Sequence, residues 1–297
     1  MTHPTPGSRE LRIVYAGSLD AVARHDLMPA FERLTQCRCR GRAGGSRELA
    51  LQLRAGQAQA DVFLSADAEV VETELMDLRT RGDAEWYVTF ATNSLVLAYQ
   101  DPPPRPEIAR AAQGALPLPD LLRSGLRLGR PDPEADPKGY RAVFTLQLLE
   151  RCLGLPGLTE HVLGDPRNPD QIFPAADLIP MLKAAKLDVI FAYRSQAVEE
   201  SLPFIPLPDE ANLGSPAQAD DYAHAMYRCT DGTLYRGRPI TYAAWLTPDG
   251  LRSPAAAAFL VFLGSAAARD ALVRHGFGWT YELVAPPKQG VAVSASK

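Results

Sequence analysis

Tyr15-Ala16-Gly17-Ser18-Leu19 is the stretch around which the rest of the chain can be interpreted. It follows a mostly apolar run, Leu11 to Val14, and precedes a helix-like run from Asp20. A strand, a small-residue turn with a hydroxyl and a helix N-terminus form a typical anion site, because the first N–H groups of a helix lack intrahelical acceptors. Gly44-Gly45-Ser46-Arg47 repeats the pattern. The sequence therefore predicts two loops that hold an oxyanion.

Three strand–helix units follow one another in the first 75 or so residues. Leu11 to Tyr15 and Ala60 to Ser65 have the pattern of strands, and Gln36 to Arg40 is predicted as a weaker strand between them. Strands that alternate with helices are typical of a doubly wound parallel sheet, whose ligands bind at the carboxyl ends of the strands. Three serines are predicted to lie at these ends: Ser18, Ser46 and Ser65.

The composition is that of an ordinary globular protein. The 297 residues are 46% hydrophobic and 22% charged, which is enough for two lobes of roughly 100–150 residues each. The formal net charge of -4 gives no reason to expect a nucleic-acid surface. The 4 cysteines do not form a disulfide or zinc-ribbon pattern. Cys37 and Cys39 are interpreted as alternate positions of one strand rather than as half a metal site.

The compartment is left open by the sequence. No run of about 18 apolar residues is present, so no membrane span is expected. Met1 to Glu10 is polar and has no apolar core of the kind that a secretory signal needs. The interpretation is that either the natural signal has been removed or the protein is cytosolic.

The second half of the chain is predicted to contain a second lobe, entered at the Pro-rich break Asp101–Pro106. The predicted division is lobe 1 at 11–98 and 238–285, lobe 2 at 99–205, a crossover segment at 206–237 and a flexible tail at 286–297. The main elements expected beyond the break are the following: a loop at Asp132–Arg141, a helix at Val143–Leu153, a helix at Leu178–Ala185, strands at Asp188–Tyr193 and Ile240–Leu246, and a helix at Pro254–Leu263.

Nine short motifs spread over residues 11–278 carry a resemblance to a known family. In order they are Tyr15–Leu19, Ala43–Ser46, Ala60–Asp67, Trp86–Asn93, Asp136–Arg141, Leu178–Pro180, Phe191–Ser195, Gly237–Ile240 and the closing helices. Each motif is weak alone, but nine in this order are specific. They resemble the periplasmic molybdate/tungstate-binding proteins of ABC transporters, and most of all the archaeal-type tungstate/molybdate receptors.

The resemblance implies a two-lobed α/β fold of the type II periplasmic binding protein class. Each lobe would be a mostly parallel sheet flanked by helices, with a ligand cleft between the lobes that closes by a hinge. The implied function is that of a monomeric extracytoplasmic receptor, not an enzyme. It would bind molybdate or tungstate for uptake through an ABC-transporter permease, with no cofactor, no catalytic residue and no nucleic acid.

The resemblance also implies a set of ligand-binding residues. Ser18 and Ser46 would donate hydroxyl and backbone N–H bonds from lobe 1, with Ser65 beside them. In lobe 2, Asp136 matches a loop aspartate that archaeal-type receptors use as a ligand to the metal centre of the oxyanion, and Tyr193 matches a tyrosine that hydrogen-bonds the oxyanion. Ala176 or Asp177 would offer a backbone N–H at a helix start.

One position departs from the archaeal-type pattern. Those receptors carry a second metal-coordinating carboxylate, a glutamate, immediately before the tyrosine, and Ala192 stands there. A tetrahedral oxyanion held by hydrogen bonds alone is therefore expected. An ionised Asp136 about 4 Å from a dianion would be repelled by roughly 4 kcal/mol or more per charge product. Asp136 is expected to turn away, to pair with Arg141 or Lys138, or to face a protonated or different ligand.

Two other classes of function remain open at this point. A cytosolic oxyanion sensor or buffer is compatible with the polar N-terminus, and a receptor adapted to another anion is compatible with Ala192. No nucleophile elbow, P-loop or metalloprotease motif points to an enzyme. The sequence does not rank molybdate, tungstate, sulfate, phosphate or an organic anion.

Overall fold

A computed structural model describes residues 10–76 and 86–285 of the chain. The chain divides into two compact units, called here unit 1 and unit 2. Unit 1 contains Met1–Ala91, Thr241–Ala271 and Trp279–Lys297, and unit 2 contains Thr92–Ile240 and Leu272–Gly278. Each unit has its own sheet and its own cluster of buried apolar side chains. The flexible tail predicted at 286–297 lies outside the described residues.

The strands of the described residues are, in chain order, β1 Glu10–Ala16, β2 Arg38–Gly44, β3 Val62–Ser65, β4 Tyr87–Asn93, β5 Leu95–Ala98, β6 Leu128–Gly129, β7 Val189–Tyr193, β8 Phe204–Pro206, β9 Met226–Arg228, β10 Leu234–Arg236, β11 Ile240–Leu246 and β12 Gly278–Val284. The α-helices are α1 Asp20–Val22, α2 Met28–Thr35, α3 Ser46–Arg54, α4 Ala68–Glu74, α5 Pro106–Ala112, α6 Leu118–Leu122, α7 Pro137–Leu153, α8 Leu158–Leu163, α9 Leu178–Lys183, α10 Arg194–Glu199, α11 Ala219–Tyr222, α12 Pro254–Leu263 and α13 Ala266–Arg274. A 3-10 turn at Gly17–Leu19 and a π-turn at Ala23–Leu27 flank α1.

The sheet of unit 1 has the order β12-β4-β11-β3-β1-β2. β1 runs parallel to both of its neighbours, with Tyr15 opposite Ala43 of β2 and opposite Leu64 of β3. β11 joins this group antiparallel to β3. The first three strands therefore form the predicted parallel sheet, and their carboxyl ends lie at one edge.

Aromatic packing fills one side of unit 1. The ring of Phe31 on α2 lies 5.1 Å from that of Phe259 and 5.6 Å from that of Phe262, both on α12. Edge-to-face contacts at such distances stabilise a core beyond the area that they bury. These contacts fix α12 against the helical segment that begins at Gly17.

The sheet of unit 2 has the order β6-β7-β5-β8 and is mixed rather than mostly parallel. β6 and β7 are parallel, but β5 runs antiparallel to both β7 and β8. Helix α7 is central to this unit, because ten of its 17 residues are buried. The expectation of a mostly parallel sheet is therefore wrong for this unit. β5 follows β4 after a single residue, enters a different sheet and pairs antiparallel with both of its neighbours there.

The larger sheet of each unit carries a matching arginine–aspartate clamp at the start of a parallel pair of strands. In unit 1, Arg12 Nη2 lies 2.7 Å from Asp61 Oδ1, and the Arg12 N–H donates to Asp61 Oδ2 at 2.8 Å. In unit 2, Arg127 Nη2 lies 2.5 Å from Asp188 Oδ1, and the Arg127 N–H donates to Asp188 Oδ2 at 2.8 Å. These charge-assisted bonds hold strand starts at the opposite end of each sheet from the candidate site loops.

The division between the units differs from the predicted lobes, because residues 92–98, 206–240 and 272–278 all belong to unit 2. Unit 2 begins at Thr92, whereas the sequence extends lobe 1 to Ala98. The physical reason is that β5 pairs with β7 and β8. Residues 206–237, predicted as a crossover, belong to unit 2, where the β9–β10 hairpin forms a small sheet of its own.

Across 10–76 and 86–285, no single helix is both long and apolar enough to cross a membrane. Helices α12 and α13, bent by 61° at the break between them, pass that test as a pair by length and composition only.

Candidate functional site

Ser18 lies in the turn that connects β1 to the first helical segment. Its side chain is exposed, and its hydroxyl shares a hydrogen bond of 3.1 Å with that of Tyr242 on β11. A second hydrogen bond links β1 to the helical segment after the turn, because the buried Tyr15 hydroxyl donates to Asp20 Oδ1 at 2.9 Å. Burial and this bond raise the pKa of Tyr15 to about 12, so the phenol stays protonated. Ser18 is thus held at a helix start by two tyrosines of the sheet.

Ser46 is the first residue of α3 and is half-buried. The first intrahelical bond is that from Leu49 N–H to Gly45 O, at 2.9 Å. The N–H groups of the three residues before Leu49 therefore precede the regular helical ladder. Ser46 Oγ accepts a hydrogen bond from Ala66 N–H at 3.0 Å, so the hydroxyl retains a proton that can be donated. This geometry suits an anion at the start of α3.

The turns that carry Ser18 and Ser46 are brought together by the register of the sheet. Ala16, the last residue of β1, is opposite Gly44, the last residue of β2. A Cβ added to Gly17 would lie 3.9 Å from Gly44 O, so the two turns are neighbours. Two helix starts and two serine hydroxyls consequently share one edge of unit 1, as the sequence predicted from the repeated pattern.

Ser65 ends β3 at the same edge, but its hydroxyl bonds to the backbone of its own turn. The side chain is fully buried, and Oγ donates to Asp67 O at 2.6 Å while accepting from Asp67 N–H at 3.2 Å. Asp67 then caps α4 through a bond from Glu69 N–H. A serine hydroxyl has one proton, and here it closes the turn after β3.

Asp136 is the N-cap of α7, with Pro137 at the first helical position. Its Oδ1 accepts a hydrogen bond of 2.7 Å from Lys138 N–H. The preceding loop can lie against the helix only because Gly139 lacks a side chain, since a Cβ there would be 2.5 Å from Asp132 O. The carboxylate therefore bonds to the backbone of Lys138, whereas the Lys138 ammonium group is directed to Gln196.

Tyr193 ends β7 and is held by a cation. Arg141 Nη1 donates to the Tyr193 hydroxyl at 2.7 Å. The guanidinium carbon of Arg141 and the Nζ of Lys138 each lie 5.8 Å from the centre of the Tyr193 ring. A phenol oxygen that accepts from a guanidinium still carries its own proton and becomes a more polarised donor. Asp136 and Tyr193 are therefore parts of one cluster, joined through α7.

The two remaining positions differ in exposure. Ala176 is exposed and precedes α9 by two residues, with Asp177 as the N-cap. Ala192 has no exposed surface and belongs to the apolar cluster of unit 2. Within the part of the chain that the structure describes, no group of three or more His, Cys, Asp or Glu side chains is placed to hold a metal ion.

Three side chains of this region were not among the predicted ligand-binding residues, although Lys138 and Arg141 were named as possible partners of Asp136. Lys138 and Arg141 flank the Tyr193 ring, and Tyr242 contacts Ser18. The sequence offers one signal for the first two, because a spacing of three on a helix places both side chains on one face. It offers none for Tyr242, which is 224 residues from Ser18 in the chain.

Comparison with known proteins connects this arrangement to a family. A relative from Haloferax volcanii, provisionally named as an ABC transporter molybdenum-binding protein, is 35% identical over 266 residues, which cover 89% of this chain and 80% of the relative. The molybdate/tungstate-binding protein WtpA of Pyrococcus abyssi is 29% identical over 231 residues, which cover 69% of this chain and 64% of that protein.

The fold is likewise shared with solved structures. The periplasmic molybdate-binding protein of Azotobacter vinelandii superposes with a TM-score of 0.57 at 18% identity, covering 90% of this chain and 98% of that one. The predicted periplasmic binding protein fold is thereby confirmed. The family described as bacterial extracellular solute-binding protein matches residues 11–278. This chain belongs to that family, whose members bind solutes and are not enzymes.

Proposed function

We propose that this protein is the receptor of an ABC importer and that its solute is a tetrahedral oxyanion, molybdate or tungstate. The names of the Haloferax and Pyrococcus relatives support the solute class. The family description supports an extracytoplasmic location. A permease is then the partner that takes up the released anion, and the receptor acts as a monomer.

The observation that carries the proposal is the pair of serine turns at the carboxyl edge of unit 1. Backbone N–H groups and hydroxyls at two adjacent helix starts bind an anion without a full positive charge. The nearby carboxylate of Asp20 is already engaged by the Tyr15 hydroxyl, and its Oδ2 lies 3.4 Å from Arg24 Nη1. The edge therefore favours an anion although the chain carries a net charge of -4.

In unit 2 a second set of ligand-binding groups is proposed. The Tyr193 hydroxyl, oriented by Arg141, and the backbone near Ala176 are the proposed groups, with Asp136 capping α7 rather than coordinating the metal centre. With Ala192 in place of a carboxylate, the proposed anion keeps four oxygen ligands and is held by hydrogen bonds. Ser65 supports the turn after β3 and acts indirectly.

Thermal unfolding with and without anions tests the proposal. A ligand at 100 times its Kd stabilises the folded state by about 2.7 kcal/mol, which raises Tm by several degrees in a chain of this size. Molybdate and tungstate are expected to produce this shift, and sulfate, phosphate and chromate a smaller one or none. A Tm that is unchanged by both molybdate and tungstate would contradict the proposal.

A further inference from the structure

Lys138 is a buried cation whose role the proposed function does not yet include. It is the second residue of α7, is only 5% exposed, and Nζ donates to Gln196 Oε1 at 3.1 Å. Among residues 10–76 and 86–285, no carboxylate lies within ion-pair distance of Nζ. Burial lowers the pKa of Lys138, and the charge of Asp136 opposes that shift.

Burying an ammonium group in this way is costly unless an opposite charge comes close. An isolated buried charge loses its hydration, and a single bond to a neutral amide replaces only one of the three hydrogen bonds that the group can donate. The Asp136 oxygen Oδ1 is directed to the backbone N–H of Lys138 rather than to its ammonium. A dianion bound nearby would supply the missing charge.

The position of Lys138 connects it to the candidate site. Its Nζ and the Arg141 guanidinium both lie 5.8 Å from the centre of the Tyr193 ring. Two cations thus flank the residue that we propose as a hydrogen-bond donor to the oxyanion. The serine turns and Tyr193 are neutral donors, and their attraction to an anion is weaker than that of a full positive charge at the same distance.

We propose that Lys138 is a specificity-determining residue that selects dianionic tetrahedral oxyanions over monoanions of the same shape. The inference rests on the proposed function and adds the charge of the solute to it. A second negative charge on the anion doubles its attraction to a fixed cation at a given distance. Molybdate and tungstate carry two negative charges, whereas perrhenate is a tetrahedral monoanion of similar size.

The test is calorimetric titration of the whole chain with tungstate and with perrhenate at fixed ionic strength. The wild type is expected to prefer tungstate. Lys138→Met should weaken tungstate binding by about 10-fold or more, which is at least about 1.4 kcal/mol. Perrhenate carries half the charge, so its loss should be about half that free energy, or about 3-fold where tungstate loses 10-fold. Lys138→Arg should keep the preference, and Lys186→Met, at an exposed lysine on the same unit, should change neither affinity.

Unfolding of the ligand-free proteins separates this role from a structural one. If Lys138 serves the anion, Lys138→Met is at least as stable as the wild type, because the variant no longer buries a charge. Equal losses of affinity for both anions, or an unchanged preference, would overturn the inference while leaving the oxyanion receptor intact. A wild type that binds neither tungstate nor molybdate would overturn the proposed function itself.

Discussion

Ala192 offers a direct way to ask which face of β7 contributes to the site. Tyr193 and Ala192 are adjacent in a strand, so their side chains point to opposite faces of the sheet. Ala192 has no exposed surface and packs in the cluster that includes Leu178 and Leu182. We expect Ala192→Glu to place a carboxyl group in apolar surroundings, where only its protonated form is tolerated.

The size of the effect follows from the pKa of that carboxyl. An unfolded glutamate has a pKa of about 4.3, and full burial raises it to about 8–9. The group must then stay protonated at pH 7, about 2.7 pH units above its unfolded pKa. At 1.36 kcal/mol per pH unit, this lowers the free energy of unfolding by about 3.7 kcal/mol. Overpacking by the longer side chain adds about 1–3 kcal/mol, which the neutral variant Ala192→Gln shares. The difference between the two variants isolates the charge.

Urea unfolding of both variants between pH 4 and pH 7 measures this difference. Because the pKa is raised in the folded state, the penalty is absent below about pH 4.3 and grows by about 1.4 kcal/mol per pH unit above it. A difference that stays below about 1 kcal/mol at pH 7 would refute the reasoning. It would mean that a carboxylate at position 192 reaches water or a cation, and hence that this face of β7 also belongs to the site.

Two further predictions concern the serine turns and the clamp of unit 2. Ser18→Ala and Ser46→Ala should each weaken anion binding, measured by calorimetry, by about 1.5–3 kcal/mol if their bonds are charge-assisted. Ser65→Ala should keep an affinity within about twofold of the wild type, because that hydroxyl only closes a turn. Equal losses in all three variants would contradict the assignment. Burial acts to raise the pKa of Asp188, but hydrogen bonds from Arg127 outweigh this effect and lower the pKa. The clamp therefore stabilises the fold above about pH 3.9, the pKa of an unfolded aspartate. Its contribution is lost as the pH falls through the lower pKa of the folded state. Asp188→Asn should therefore cost about 1–3 kcal/mol in urea unfolding at pH 7 and less below pH 4, with the exposed Asp170→Asn as the control; a cost that does not depend on pH would show that the charge of Asp188 is irrelevant.

Local patterns predicted the elements whose causes are local. β11 at Ile240–Leu246 and α12 at Pro254–Leu263 have the predicted bounds. For α12 the reason is chemical, because Pro254 can occupy the first helical position and the Ser253 side chain accepts a bond from Ala256 N–H. β1 was predictable for a similar reason, since an apolar run before a small-residue turn restricts the backbone on its own. β2 is polar and mostly exposed, and it was predicted at 36–40 rather than at Arg38–Gly44.

Strand direction in unit 2 depends on partners that are distant in sequence. β5 is four buried residues, Leu95–Ala98, with no alternation that would mark a half-exposed strand. Nothing within it indicates that Leu97 will lie opposite both Phe191 of β7 and Ile205 of β8. The resemblance to a family supplied the fold class here, but the antiparallel pairing and the start of unit 2 at Thr92 follow from tertiary contacts.

The candidate residues divide in the same way, into those placed by the local sequence and those placed by tertiary contacts. The hydroxyls of Ser18 and Ser46 lie in turns at the carboxyl ends of β1 and β2, and this placement could be predicted from the sequence. The charges of Lys138 and Arg141 matter only because both side chains are buried beside Tyr193, more than 50 residues away in the chain. The net charge of the chain counts these buried charges together with exposed charges, whose interactions are screened by solvent and salt. In unit 2 of this acidic protein, the two buried side chains that flank the Tyr193 ring are both positive, which the net charge of -4 does not reveal.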